Sequence, residues 1–336
     1  MSADVLTEPA EPAAVRERAA ARAPRFRGLL WLSLRQNRML LRVLAVLLVL
    51  VSADLVWLHV SIGHVVGVLR RTGCYSPSTW DSNTCWIMLS PISRPNFWYL
   101  SVLQPLAAAL PLLLGVFVGA PLLAQEYERG TIRLIRTQSV GPVRWLAARL
   151  AVPGVAVLVV SGVFACLMTW VWWTDIVHGP VAFDPPFQAF TYPALGVAPV
   201  AWSLFALALG VLVGQLCRRV VPAMFLTGAL VAVLGALAFW ARPDFWPAVE
   251  VTAPVGAHQP TNAWLVDRML VLADGSRVRT SACFGPDSCP GDTVWLRYHP
   301  AGHLVPVQLV EAGGLLLLTV AVLAVVFRRL RRERRS

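Results

Sequence analysis

Apolar residues gather into six long runs, each near or above the ~20 residues that cross ~30 Å of hydrocarbon at ~1.5 Å per residue. The pattern predicts membrane-spanning helices at Leu40–Ser61, Trp98–Ala124, Leu150–Trp173, Leu195–Leu216, Val221–Trp240 and Val307–Phe327. Ahead of them Phe26, Leu29, Leu30 and Leu34 recur on one helical face, while Arg27, Trp31, Arg35 and Arg38 take another. That is the pattern of an amphipathic helix over residues 26–38 lying in the membrane interface, with simple extension of the first span as the alternative. Residues 1–25 are polar and rich in Ala, Arg, Glu and Pro, which predicts a disordered segment and no signal peptide. The expected fold is an all-α membrane protein in which residues 39–240 hold five spans, 241–306 form a loop domain, 307–327 the sixth span and 328–336 a basic tail. Within the loop domain Met269–Ala273 and Arg277–Ala282 flank Asp274, Gly275 and Ser276, the signature of a β-hairpin. A small β-containing insertion is therefore expected between the fifth and sixth spans.

Charge gives the bundle a direction. All 29 basic residues are Arg, and 21 of them lie in the segment through Arg42, the loop 125–149, the turn 218–219 and the tail. The longer loops 62–97, 174–194 and 241–306 hold the other 8. By the positive-inside rule both termini are expected in the cytoplasm and the loop domain outside. Trp98, Trp170, Trp172, Trp173, Trp240 and Trp246 fall near the predicted outer ends, where an indole buries its ring and keeps its N–H wet. Cys74 and Cys85 share one outer loop and Cys283 and Cys289 another, both places where disulfides form. Cys166 and Cys217 fall inside or at the end of helices and are expected as small buried apolar groups.

Composition narrows the chemistry. At 57% hydrophobic, 14% charged and a mean hydropathy of +0.63 the chain is too apolar for a soluble domain of its size. It contains no Lys, so it encodes neither a P-loop nor a Schiff-base nucleophile, and any nucleotide must be handled by a partner. The net charge of +11 serves orientation, because no soluble face interleaves basic and aromatic residues as a nucleic-acid surface would. HExxH, G-x-S-x-G, Gly-rich dinucleotide loops and paired metal-ligand spacings are absent from the sequence, so no catalytic residue, metal or cofactor is expected in this chain. His64, His258, His299 and His303 fall in predicted outer loops with Asp81, Asp244, Asp287 and Asp292, as solvated surface groups do. Asp54 falls in the outer third of the first span, where it lines a polar path, makes an interhelical hydrogen bond or reaches outer water.

The most informative segment is the loop between the second and third spans, QEYERGTIRLIRTQSVGPVRWLAARL. Glu126, Glu128, Arg129 and Arg133 leave the helix directly, Gly130 supplies the left-handed residue that ends it, and Pro142 suits the first turn of the next. With Ile132, Leu134 and Ile135 as apolar anchors, this elbow suits docking into a groove on a cytosolic protein, its helical stems transmitting movement. An ordinary solvated loop whose arginines only enforce topology is the alternative.

The stretch APLLAQEYERGTIRLIRTQSVGPVRWLAARL resembles permease subunits of the type-2 class of ATP-binding-cassette exporters, particularly those of GC-rich bacteria, which run through an E-x-E-x-GT-x-R-L-x-x-TQSV pattern. Tyr298–Gly313 (YHPAGHLVPVQLVEAG) is similar to the approach to that family's final helix. The resemblance implies a multi-pass protein of the bacterial cytoplasmic membrane that exports an unspecified substrate and pairs with a second copy or a paralogue. Glu126, Glu128, Arg129, Gly130, Thr131 and Arg133 would contact a separate cytosolic ATPase, which binds ATP and Mg in this chain's stead. The Cys74–Cys85 loop and the aromatic-poor HLVPVQ stretch depart from the family pattern, which leaves the substrate open. Two other readings stay open: a membrane enzyme acting on a lipid-linked substrate through outer residues such as His299 or Asp81, and a membrane sensor or scaffold.

Overall fold

A computed structural model describes residues 26–74, 98–130, 141–173, 185–255, 262–279 and 293–333. Helix α1 (Phe26–Gln36) precedes α2 (Arg38–Arg71), α3 (Tyr99–Glu128), α4 (Pro142–Trp172), α5 (Ala198–Cys217) and α6 (Val220–Ala241). Strands β1 (Val249–Pro254), β2 (Trp264–Val271), β3 (Arg277–Arg279) and β4 (Thr293–His299) follow, and α7 (Leu304–Glu333) closes the described chain. Among the described residues six helices, α2 to α7, are long and apolar enough to cross a membrane.

The expected spans are present, but several helices outrun them. Helix α2 continues ten residues past Ser61, α4 begins at Pro142 and α7 reaches Glu333. Hydropathy measures the hydrocarbon, whereas a helix of 34 residues spans ~51 Å and needs only its own hydrogen bonds to continue beyond it. His64, expected in a loop, is an exposed residue on the last turns of α2. Four hydroxyls along the spans are satisfied locally, those of Ser161, Thr169, Ser203 and Thr319 each donating to the carbonyl four residues back, whereas the Gln215 amide and Thr227 hydroxyl are buried without a partner among the described residues.

Helix α5 is the centre, packed by α3, α4, α6 and α7. Of its apolar stretch 72% is buried, against 6% for α2 and 17% for α6. Glycines let its backbone approach that of α3. A Cβ on Gly210 would lie 2.6 Å from the Gly115 carbonyl oxygen, one on Gly119 2.7 Å from that of Leu207, and one on Gly214 against that of Ala120. Such small-residue seams are how helices associate in lipid, where no hydrophobic force draws them together. Helix α3 widens into π turns at Tyr99–Leu103 and Gly115–Gly119. Pro121 has no N–H for the carbonyl of Phe117, and the second π turn falls on that residue.

Two expectations about side chains are corrected. Cys166 is exposed on α4 rather than buried, and Cys217 is half-buried, because a lipid-facing surface is as apolar as a core and needs no burial of a thiol. Trp172 is 2% exposed and packs inside against Leu195, whereas Trp98, Trp170, Trp173, Trp240 and Trp246 are exposed as an interfacial belt requires. Cys74 is buried at the end of α2, while Cys85, Cys283 and Cys289 lie outside the described residues.

The four strands form one antiparallel sheet of order β1-β4-β2-β3. The expected hairpin is β2–β3, with Met269 opposite Arg279 and Val271 opposite Arg277. Gly275 takes φ +82°, and Asp274 Oδ1 accepts from the Ser276 amide and hydroxyl, which holds the Asp274 carboxyl below its usual range. Residues 280–282, the expected end of the second arm, lie outside the described residues. Leu270, Val294 and Leu296 form the sheet's own small core. Its inner end docks on the bundle where Trp264 stacks on Phe187 at 5.1 Å.

Candidate functional site

The arginine-rich end of the bundle gathers most of the residues singled out in the sequence. Helix α3 ends at Glu128, Arg129 caps it, and Gly130 at φ +71° turns the chain away, as expected for that glycine. Both acids make contacts to other helices of this chain. Glu126 Oε1 accepts from Arg149 Nη2 at 2.8 Å, with the side chains 15% and 14% exposed, and Arg149 Nη1 donates to Gln36 Oε1. One guanidinium thereby ties α1, α3 and α4 together. Glu128 Oε2 accepts from the Val220 amide at 3.3 Å, capping the positive end of α6. Beside it Arg218, in the left-handed conformation at φ 56°, lies over the Tyr127 ring at 5.4 Å.

The α5–α6 turn and α1 are thus both braced against the tip of α3. Arg129 and Gly130 are exposed beyond these braces, and Thr131 and Arg133 lie outside the described residues. Polar contacts therefore join the tip of α3 to α1, α4 and α6. Asp54, half-buried on α2, accepts from Trp98 Nε1 at 3.0 Å, which is the interhelical hydrogen bond among its three expected roles.

The other end holds a network that pattern reasoning did not pick out. Glu311, on the second turn-pair of α7, is buried, and both its oxygens are fully engaged. Oε2 accepts from Tyr192 Oη at 2.7 Å and Arg242 Nε at 3.1 Å; Oε1 accepts from Trp202 Nε1 at 2.7 Å and Arg242 Nη2 at 3.1 Å. The Arg242 guanidinium also lies over the Tyr192 ring at 4.1 Å. Burial first, and the Glu311 carboxylate second, push the Tyr192 phenol well above its usual range, so it stays a donor. The segment 192–197 leading into α5 is held to α7 by the same logic: Gln308 Nε2 donates to the carbonyls of Leu195 (2.9 Å) and Tyr192 (3.3 Å), and its Oε1 accepts from the Val197 amide at 3.3 Å. Gly196 there takes φ +62°, and a Cβ on it would strike the Gln308 amide.

A signal for this network exists in the sequence. Glu311 is the one acid between Leu304 and Phe327, and a carboxylate inside a span is costly unless paired. Its partners stand 69 to 119 residues away, so the pairing itself is not readable from spacing.

His299 is a correction. Expected as a solvated loop residue, it is fully buried, because the sheet docks its last strand onto residues 185–194 and encloses it beside Phe187 and Trp264. Its Nε2 lies 3.1 Å from the Pro243 carbonyl, which assigns the proton there, and its Nδ1 lies 3.1 Å from Nδ1 of His303, which must then donate. Asp81, its companion in the enzyme reading, lies outside the described residues. Desolvation, with smaller contributions from His303 and Arg297, lowers the His299 pKa below 6.5, against the opposing effects of the Pro243 carbonyl and Asp244. A lowered folded value means the unfolded chain takes the proton more readily, so this residue's contribution is complete above pH 6.5 and declines as pH falls below it. Protection of β4 and residues 185–195 against hydrogen exchange, taken relative to the unfolded chain at the same pH, is expected to fall as pH drops below 6.5 and to lose that pH dependence in His299→Phe.

Residues 45–242, more than half of the chain, match the family described as ABC-2 membrane transporter related. No curated protein and no solved structure matches the chain.

Proposed function

Since the chain belongs to the ABC-2 membrane transporter-related family of transport permeases, we propose that it is the membrane-embedded subunit of an exporter driven by a separate ATPase, which binds the ATP and Mg. The arginine-rich end faces the cytoplasm, as the positive-inside rule requires, and six spans return both ends of the chain to that side. The sheet then lies outside, where Cys74–Cys85 and Cys283–Cys289 bridges form in an oxidising compartment. Two such subunits, identical or paralogous, frame one passage in the cytoplasmic membrane of a bacterium.

The observation that carries this reading is the bracing of α1, α4 and α6 onto the tip of α3 by Arg149, Glu126 and Glu128. A transporter that does no chemistry itself needs a stiff element through which the partner's closure is felt, biasing the bundle between two arrangements. Glu126 and Glu128 transmit the push and Arg129, Gly130, Thr131 and Arg133 receive it.

The test is charge reversal at the exposed tip. Arg129→Glu is expected to reduce co-purification of the cognate ATPase and its membrane-stimulated hydrolysis at least fivefold, while expression and membrane insertion stay at native levels. Unchanged ATPase capture, or labelling of a cysteine at position 129 by an impermeant reagent from outside the cell, would remove the assignment.

A further inference from the structure

Between α3, α5, α6 and the segment 189–193 lies a recess of about 290 Å³, close to the lower end of the ~300–1,000 Å³ typical of small-molecule sites. Its floor is buried and apolar apart from one group: Pro111, Trp202 and Val231 lie beside Arg242. Its rim, at Ala189, Ala232 and Phe239, is exposed on the surface that the apolar spans turn to lipid. A tail can therefore leave the recess into hydrocarbon while its head stays inside.

Arg242 is the polar end of this recess. Its side chain is 8% exposed, its Nε and Nη2 bond Glu311, and one face of the guanidinium covers the Tyr192 ring. Nη1 makes no hydrogen bond to any described residue. Glu311 is already saturated by four donors, so it offers no acceptor to a ligand, and Arg242 is the one charged side chain among the residues lining the recess. A guanidinium donating from a low-dielectric wall prefers carboxylate or phosphate oxygens. An amine head would find no counter-charge among the lining residues.

We propose that this recess binds an amphiphile whose polar end accepts hydrogen bonds, of the alkyl phosphate or carboxylate class, with Nη1 of Arg242 as its anchor and its alkyl chain passing over Gly235 and Phe239. The site stands on this chain's own residues, whether or not an ATPase partner is engaged.

Gly235 provides a test that leaves the ion pair alone. A Cβ there meets nothing within 4 Å, so a leucine at this position extends into the recess without a clash at its base. The full chain in zwitterionic nanodiscs is irradiated with a diazirine-bearing dodecyl phosphate and, separately, with the matching dodecylammonium probe, and labelled peptides are mapped. The phosphate probe is expected to label α6 around residues 231–239, to be displaced by unlabelled dodecyl phosphate, and to lose at least tenfold in labelling in Gly235→Leu. Ala236→Leu, on the exposed face of α6, is expected to label as the native chain does. If Gly235→Leu fails to fold, Ala232→Leu at the rim serves in its place. Equal labelling by the ammonium probe, unaltered labelling in the filled variants, or labelling spread evenly over the lipid-facing helices would each overturn the proposal.

Discussion

Replacing Glu311 by alanine is expected to be among the most damaging single changes in this chain, lowering folded yield severalfold and the midpoint of thermal unfolding by many degrees. The change leaves the Arg242 guanidinium charged at 8% exposure and strips the acceptor from Tyr192 and Trp202 at once. Removing one member of a buried ion pair costs about 3–5 kcal/mol, most of it the desolvated charge left behind. Glu311→Gln keeps the shape and one acceptor oxygen, so its loss is expected to be intermediate. The double variant Arg242→Met/Glu311→Leu removes both charges and is expected to recover much of what Glu311→Ala loses, because apolar replacements of a buried pair are often neutral. Fluorescence-detected size exclusion after a temperature ramp distinguishes these cases. A Glu311→Ala protein as heat-resistant as the native one would mean that the network positions nothing.

Gly210→Leu is expected to have an effect of similar size by a different mechanism. The Cβ alone would stand 2.6 Å from the Gly115 oxygen and 2.7 Å from the Ala120 amide nitrogen, and these are backbone atoms that cannot swing aside. Helix α5 must then move away from α3, and because α5 also carries α4, α6 and α7 the displacement spreads through the bundle. Overpacking costs typically about 1–3 kcal/mol where side chains can yield, and more is expected where only backbone can. Gly228→Leu is the comparison: there a Cβ would meet a single side-chain atom, Val116 Cγ2 at 3.3 Å, and no backbone, so a smaller loss is expected. The same thermal assay reads both, and equal behaviour of the two variants would refute the backbone seam.

How the expected site fared depends on which physics each residue obeys. Gly130 was legible because a helix that must stop before a new one begins needs a left-handed residue, and glycine takes it cheaply. The Asp274–Ser276 turn was legible for the same local reason. Glu126 and Glu128 were legible as charges beside the membrane but not as braces, since their partners Arg149, Gln36 and Val220 come from three other helices. His299 misled because a strand's last residue is solvated unless something docks on it, and what docks is a segment more than a hundred residues earlier.

Six spans, a lysine-free chain with its arginines clustered in a few segments, a hairpin and the family match over residues 45–242 are all legible in the sequence alone. These follow from sums over local windows, where hydropathy, charge and turn chemistry each act within a few residues. Only the tertiary structure decided that α5 is the centre and α2 the periphery, since lipid and protein interior are equally apolar and hydropathy does not separate them. It likewise decided that Glu311 meets Arg242, because in a medium without water a charge takes whichever partner the packing brings within reach, however distant in the chain.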